Sequence, residues 1–459
     1  MNKGSKTGVG PHPTPGPCGA TPSPLPQAGE GRGSGGGVRA FKETELGPLP
    51  VEWEVARLGE IASISGGGSA PQGDQFFGGP NPFVRVKHLS SEGFFVKRWD
   101  WITDEAVEQY RLRPYPRGTI VFPKSGASIR LEKRAVLPVE AYLVSHLCAV
   151  LPGKGVDGDF LFYALKTIRF AAKKAAGYPT LTLTEIRETA IPLPPLPEQR
   201  RIAHVLRTIQ RAIEATDRVI AAARELKRSL MHYLFTYGPV PFDQAEQVPL
   251  KETEIGLVPE RWEVVRLGEV ATVKGGKRLP KGHRFSQHPT PFPYIRVTDF
   301  ADWSVNLSDP KYLTPEDREK IKRYVITADD VYISIAGTIG LVGTIPDSLN
   351  GANLTENAAR IIINDKQRLD KQYLVGFLAS DRGQRQINAR ATKTSQPKLA
   401  LARIRQLPLA LPPLVEQRRI AHILYVVNRK IKAEEQRKSA LQALFRTMLH
   451  ELMTGRVRV

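Results

Sequence analysis

Apolar residues recur at helical spacing through two stretches that hold no Pro or Gly, 198–236 and 416–454. That pattern predicts two long helices. Each opens on a proline stop, LPPLPEQRRIAHVL at 193–206 and LPPLVEQRRIAHIL at 411–424, identical at 12 of 14 positions. The offset stays at 218 from Glu198 and Glu416 through to Thr236 and Thr454, so neither helix has gained a residue on the other. With Ile202 as heptad position a, the a positions are Ile202, Ile209, Thr216, Ala223 and Leu230, and the d positions Val205, Ala212, Val219, Leu226 and Tyr233. A seam of this kind requires a partner helix, and the second stretch offers one through Ile420, Ile423, Leu424, Val427 and Ile431. A further row, Leu206, Ile213 and Ile220, widens the first stripe and predicts that helices of another subunit complete a larger bundle. The charged run KAEEQRKS at 432–439 either faces water or pairs with Arg218 or Arg211.

The helices are not the only repeated parts. KETELGPLPVEWEVARLGEIASISGG at 42–67 recurs as KETEIGLVPERWEVVRLGEVATVKGG at 251–276, identical at 16 of 26 positions, with Trp53 and Trp262 as aromatic anchors. The chain is therefore two copies of one unit: arm, block, proline stop, long helix. Each arm is expected to pack where one long helix ends and the other begins. The blocks, about 68–192 and 277–410, share only scattered positions such as Arg85 with Arg296 and Gly126 with Gly337. A constant frame around divergent blocks is what two different ligands on one scaffold would produce.

Inside the blocks the pattern alternates between strand-like and helix-like runs. The first has PFVRVKHL (82–89) and GTIVFPKSG (118–126), then FLFYALKTIRFAAKKAA (160–176) as a helix. The second has PYIRVTDF (293–300), DVYISIAGTIGLVGTI (330–345) and ARIIIND (359–365), then one helix over 373–390. Both close with a loop, GYPTLTLTEI (177–186) and SQPKLALARI (395–404). Residues 1–40 are Pro, Gly and Ser with little to bury, which predicts disorder.

Charge narrows the partner. The net charge of +20 points to a polyanion, nucleic acid before a membrane surface, although a basic but merely solvated surface has the same composition. The excess sits on the blocks, with 17 Lys and Arg against 12 Asp and Glu in 68–192 and 21 against 13 in 277–410, while the arms are acidic. The candidate DNA contacts are Lys124, Ser125, Arg130, Lys133 and Arg134 in the first block, followed by Tyr178 and Thr180. In the second they are Lys277, Arg278, Lys281 and Arg284, then Lys393, Thr394, Ser395, Gln396 and Lys398. Lys and Arg neutralise phosphates, and Ser, Thr, Gln and Arg on loops can read base edges.

Catalytic patterns are missing. There is no phosphate-loop motif, and the nine histidines form no metal-ligand spacing, with His204 and His422 expected to pack or cap on their helices. DPKY at 309–312 has the outline of an adenine-methyltransferase motif but carries Lys where that motif has its second Pro, so it reads as a turn. Cys18 and Cys148 are the only cysteines, which excludes a disulfide framework. No run of 18 apolar residues and no signal peptide is present, so a cytoplasmic chain without a membrane partner is expected.

Two arms with P-x-x-W-x-x-x-R-L-G-E, two proline stops with E-Q-x-x-I-A, and the terminal LMTGRVRV (452–459) together resemble the specificity subunit of a type I restriction-modification system, from residue 41 onward. The resemblance implies an α+β chain with two α/β target recognition domains joined by two long antiparallel coiled-coil helices, a pseudo-twofold internal repeat. The implied domains are 41–192 and 238–410 for recognition, the second including its linker and arm, with helices at 193–237 and 411–459. Each recognition domain would bind one half of a bipartite duplex target. The helices would set the spacing and dock two modification subunits and the restriction subunits. The chain itself would be no enzyme and bind no cofactor, S-adenosylmethionine, ATP and Mg belonging to those partners. Two other classes stay open on residues alone: a scaffold that binds only proteins, which would show no DNA sequence preference, and a self-sufficient DNA-modifying enzyme, which would transfer methyl groups unaided.

Overall fold

The computed structural model describes residues 40–90, 92–170, 180–392 and 394–459. The disorder expected for 1–40 falls, Ala40 apart, outside the described residues, as do Tyr178 and Lys393.

Each half is built on the same antiparallel four-stranded sheet. In the first half its order is Ala62–Gly66, Leu147–Pro152, Ile120–Pro123, Ala135–Val136. In the second it is Ala271–Gly275, Ala358–Ile363, Val331–Ser334, Val342–Thr344. Ile120 to Phe122 and Val331 to Ile333 are buried throughout, so these strands carry continuous apolar runs rather than alternation. A smaller mixed sheet accompanies each: Phe83 pairs in parallel with Tyr142, and Ile295 with Leu354. A helix then covers the main sheet, Gly158–Thr167 capped by Asp157, and Lys371–Ala379 capped by Asp370. The single helix expected over 373–390 is two. Ser380 is extended (ψ 160°) and its hydroxyl caps the next helix, Asp381–Arg390, by accepting from Gly383 N. Ser-Asp-x-Gly is a helix-start signal that outweighs the uninterrupted helical pattern.

The loops expected before the proline stops each hold a short helix, Leu183–Arg187 and Leu401–Arg405. A strand follows, Ala190–Leu193 or Pro408–Leu411, and pairs with its own arm at Glu54–Arg57 or Glu263–Arg266. The long helices then run Leu196–Tyr237 and Leu414–Met453. Their contacts proceed in opposite directions: Glu198 meets Arg458, Asp217 meets Lys438 at 2.8 Å, and Arg224 meets Glu435 at 2.5 Å. The charged middle thus pairs with Asp217 and Arg224, not with Arg218 or Arg211.

The Glu-Gln pair of each proline stop has a definite task. The fully buried indoles of Trp53 and Trp262 donate to Glu198 and Glu416, both at 3.0 Å. Gln199 accepts from Asp157 N at 2.9 Å and donates to Pro194 O at 2.8 Å. Gln417 does the same with Asp370 N and Pro412 O, both at 2.8 Å. Glu therefore ties the arm to the helix and Gln ties the block's own helix cap to it. Each arm also meets the end of the opposite helix, where Gly238 (φ +82°) and Gly455 (φ +67°) stop the chain. A Cβ at Gly455 would lie 2.3 Å from Pro50, so glycine is required there.

The predicted seam is partly rotated. Ile202, Ile420, Leu424 and Ile431 are buried, and Val205, Ile209, Ile423 and Val427 half-buried. Val219 and Leu226 are exposed, and so are His204 and His422, which neither pack nor cap. Leu206 and Ile213 lie in one core with Phe160 to Leu165 of the first block, and Ile220 is buried as well. This row is covered within the chain, which overturns the expectation that it awaits helices of another subunit. Exposed large apolar side chains on the pair are instead Val219, Leu226, Val415, Tyr425, Val426 and Leu444. Among the described residues no helix is long and apolar enough to cross a membrane.

Candidate nucleic-acid interface

In the first block, the turn after strand Ile120–Pro123 is assembled from three separate segments. Lys124 N donates to His146 O at 2.9 Å, Leu181 N donates to Lys124 O at 2.8 Å, and Ser125 bridges Thr180. The Ser125 hydroxyl shares a 2.6 Å hydrogen bond with His146 Nδ1. Gly126 (φ +80°) then turns the chain into a short 3-10 helix, Ala127–Leu131, which presents Arg130 to solvent. Lys133 is half-buried beyond it.

Arg134 is no candidate contact. It is 2 % exposed, bonded to Glu132 O and Ile168 O, and its guanidinium lies beside the stacked rings of Phe122 and Phe170, 5.9 and 5.4 Å from their centroids. Burial holds its pKa below the ordinary guanidinium value, against the pull of Glu132. The side chain closes the core from inside.

The second block repeats the arrangement with different side chains. Leu399 N donates to Ile335 O at 2.9 Å, Ala336 bridges Lys398, and Gly337 (φ +72°) turns the chain. Lys398 N donates to the Thr392 hydroxyl at 2.8 Å, and Thr394 Oγ1 to Gln396 O at 2.9 Å. That closes a compact loop on which Thr394, Ser395, Gln396 and Lys398 are all exposed. Beside it, Ile335 N donates to Asn357 O at 2.8 Å and Lys277 N to Leu354 O at 2.8 Å. Arg278 pairs with Glu356 at 3.2 Å, and Lys281 and Arg284 stand exposed on the same loop. The Tyr294 hydroxyl donates to Lys277 O at 2.9 Å, and burial pushes it up to about 12, so it stays a neutral donor. A cavity of about 630 Å³ lies here between Arg278, His283, Arg284, Arg296 and Asn357.

The structure thus gathers Lys124, Ser125 and Thr180 at one turn, and Lys277, Arg278 and the 394–398 loop around the other. His146 and Asn357 belong to the same clusters. Their only sequence signal was the shared glycine turn at Gly126 and Gly337, because sheet pairing, not chain proximity, delivers them. Arg85 and Arg296, also shared, are structural: the Arg85 guanidinium pairs with Asp100 at 2.7 Å, and that of Arg296 with Asp299 at 2.5 Å.

Loops of cations, hydroxyls and amides can hold phosphates and base edges. Asp309 of DPKY is engaged by Lys311 at 2.6 Å and Arg296 at 3.3 Å, which hold its carboxyl below the ordinary value. Cys148 is buried and its thiol pushed up to about 12, which leaves it unreactive. Among the described residues no group of three or more His, Cys, Asp or Glu could hold a metal.

Known proteins share this architecture. Residues 50–223 and 259–443 match the family profile described as type I restriction modification DNA specificity domain. The chain is 26% identical over 438 residues to the putative type I restriction enzyme MjaX specificity subunit of Methanocaldococcus jannaschii, covering 91% of this chain and 97% of that one. It is 25% identical over 436 residues to the MjaVIII specificity subunit of the same organism, covering 91% and 96%. In fold it is similar to the S subunit of a type I restriction-modification system from M. genitalium, with a TM-score of 0.56 at 15% identity over 87% of this chain and 96% of that one. The chain belongs to the type I restriction-modification DNA specificity family, whose members are recognition rather than catalytic subunits.

Proposed function

We propose that the chain reads a bipartite duplex, one half-site per block, and that the paired long helices fix the distance between the halves. The observation that carries this is the repeated turn: Ser125 with Thr180 and Ala336 with Lys398 occupy the same place in the two folds, yet the exposed side chains around them differ. One backbone platform with two chemistries is suited to two unrelated sequences. The repeated arm, helix and Gly-stop junctions support a pseudo-twofold body, a coiled-coil-like pair at its centre, and two equivalent docking faces for modification subunits. The exposed Val219, Leu226, Val415, Tyr425, Val426 and Leu444 are apolar positions available to those partners. Methyl transfer, with S-adenosylmethionine, and DNA cleavage, with ATP and Mg, belong to the modification and restriction subunits.

Co-production with the modification subunit of its own system, followed by single-molecule sequencing for methylated adenine, tests this reading. A split motif with a fixed nonspecific gap is expected. An intact complex with an active partner that leaves no such motif would refute it.

A further inference from the structure

Between the C-terminal half of the first long helix and the Asp381–Arg390 helix lies a cavity of about 800 Å³. Its wall brings together Arg224, Lys227, Arg228 and His232 with Arg382 and Arg385, against one carboxylate, Asp381. Several of these cations are already committed. Arg382 donates to Phe235 O at 2.9 Å, Leu257 O at 2.6 Å and the Thr236 hydroxyl at 2.6 Å. Arg224 is held by Glu435 at 2.5 Å and Arg228 by Glu225 at 2.6 Å.

Lys227 and Arg385 are different. The Lys227 ammonium lies 3.9 Å over the ring of Trp303, and among the described residues no carboxylate stands within ion-pair distance of it. Arg385 donates Nε to Asp381 O of its own helix at 3.2 Å and, among the described residues, has no ion pair. Lys227 is half-buried, with Asp302 and Glu435 acting on it only from beyond ion-pair distance, and Arg385 is exposed; neither holds an ion pair among the described residues, which favours an anion between them. Burial also holds the Lys227 ammonium down at about 8, a penalty that an arriving phosphate offsets.

One wall of the cleft is tied to the candidate reading loops. Gln384, on its wall, donates to Gly340 O beside the Gly337 turn at 2.9 Å. The Asp381–Arg390 helix ends two residues before the loop closed by Thr392 and Lys398. Among the described residues, the first half has no counterpart of the Arg224 and Lys227 pair. Moved by 218, Arg224 becomes Gln442 and Lys227 becomes Phe445. Phe445 is buried 5.9 Å from Tyr163, and Glu92 lies over Gln442 at 3.4 Å and Lys438 at 3.3 Å.

We propose that Lys227 and Arg385 bind duplex phosphates on the spacer side of the half-site read by the second block, and that the first block makes no equivalent contact. This rests on the bipartite reading above. The tie to the reading loops favours the duplex over an acidic protein segment.

The test uses Lys227→Gln, Arg385→Gln and the double variant in the full chain, each co-produced with its modification subunits. Phosphate-ethylation interference is expected at spacer phosphates beside the second half-site alone, and to vanish in the double variant. With two phosphate contacts gone, the affinity lost between about 50 and 200 mM salt should be roughly twelvefold smaller than for the native complex. Specific binding with unchanged interference and salt slope overturns the proposal but leaves the bipartite reading standing. Weakened assembly at an unchanged salt slope also overturns it, in favour of an acidic protein occupant. A native complex without any split motif removes the bipartite reading, and this proposal with it.

Discussion

Lengthening both long helices by one turn is the most direct test of the ruler. The first helix has 42 residues, roughly 63 Å at about 1.5 Å each. Between Ile213, in the core shared with the first block, and Lys227, against Trp303 of the second, the helices touch chiefly each other. The ion pairs Asp217 with Lys438 and Arg224 with Glu435 mark where the register can be opened. Four residues placed after Arg218 and four after Gln436 leave each pair on its own side of the insertion. The blocks then separate by about 6 Å and turn by about 40°. Six ångströms is nearly two base pairs at about 3.4 Å each, and 40° is slightly more than one step of a ~10.5-bp turn. The methylated motif is therefore expected to gain one or two base pairs of gap with both half-sites unchanged. A three-residue insertion adds about 4.5 Å but turns the blocks about 60° the wrong way, so methylation should collapse. An unaltered gap in the four-residue variant, or equal activity in both variants, would show that the helices do not set the spacing.

Three further outcomes follow from individual contacts. Gln417→Ala leaves Asp370 N and Pro412 O without their partner, so unfolding in urea should show a loss of about 1–3 kcal/mol while the half-sites stay the same; a changed second half-site would mean that Gln417 acts in recognition. Arg134→Met should destabilise the first block without altering its half-site, whereas Lys398→Ala should weaken or relax the second half-site and leave the unfolding free energy within about 0.5 kcal/mol of native; the reverse pattern in motif mapping would defeat the inside-outside assignment. Lys227→Met should stabilise, because burial lowers this ammonium from 10.5 to about 8 in the fold. The penalty is full below pH 8, where both states are protonated, and fades as pH rises toward 10.5, where only the unfolded chain still holds the proton. The gain in the variant should be about 1–3 kcal/mol at pH 7, after allowance for solvent reach, and shrink by pH 10; denaturation at both pH values checks it, and no gain at pH 7 would contradict the burial argument.

The long helices were legible to within two residues because proline stops and glycines punctuate them. What each motif residue does was not. Glu198 and Gln199 recur as Glu416 and Gln417, but their partners are Trp53, 145 residues back, and Asp157, 42 residues back, on separate elements. The heptad misassigned Val219 and Leu226 because it assumed one partner helix. Each long helix has two neighbours, the other helix and a block, so its buried stripe is wider and rotated, and Leu206 and Ile213 serve the block. Arg130 and Arg134 look alike in the chain, one turn apart. Only the left-handed Glu132 between them (φ +46°) and the Phe122 and Phe170 rings decide that one faces water and the other the core.

The duplication kept and changed residues according to what they touch. Trp, Glu and the stopping Gly recur because they join arm to helix, and Gln because it holds each block's helix cap, junctions that are the same in both halves. Helix positions farther along that touch the variable part of a block can differ. Lys227 faces Trp303 across an open cleft, while its counterpart Phe445 packs near Tyr163. Arg224 pairs with the other long helix, while its counterpart Gln442 meets Glu92 of the first block. A block is thus fitted to the stretch of long helix beneath it as well as to its DNA. The Trp303 hairpin makes this fit explicit: Asp302 (φ +47°) and Trp303 (φ +62°) both adopt a strained left-handed turn, held where the indole meets Lys227. Strain of that kind persists only if the surrounding contacts over-determine it. Those contacts lie partly on the helix, so on the bipartite reading a block and its face of the ruler are expected to act as one unit.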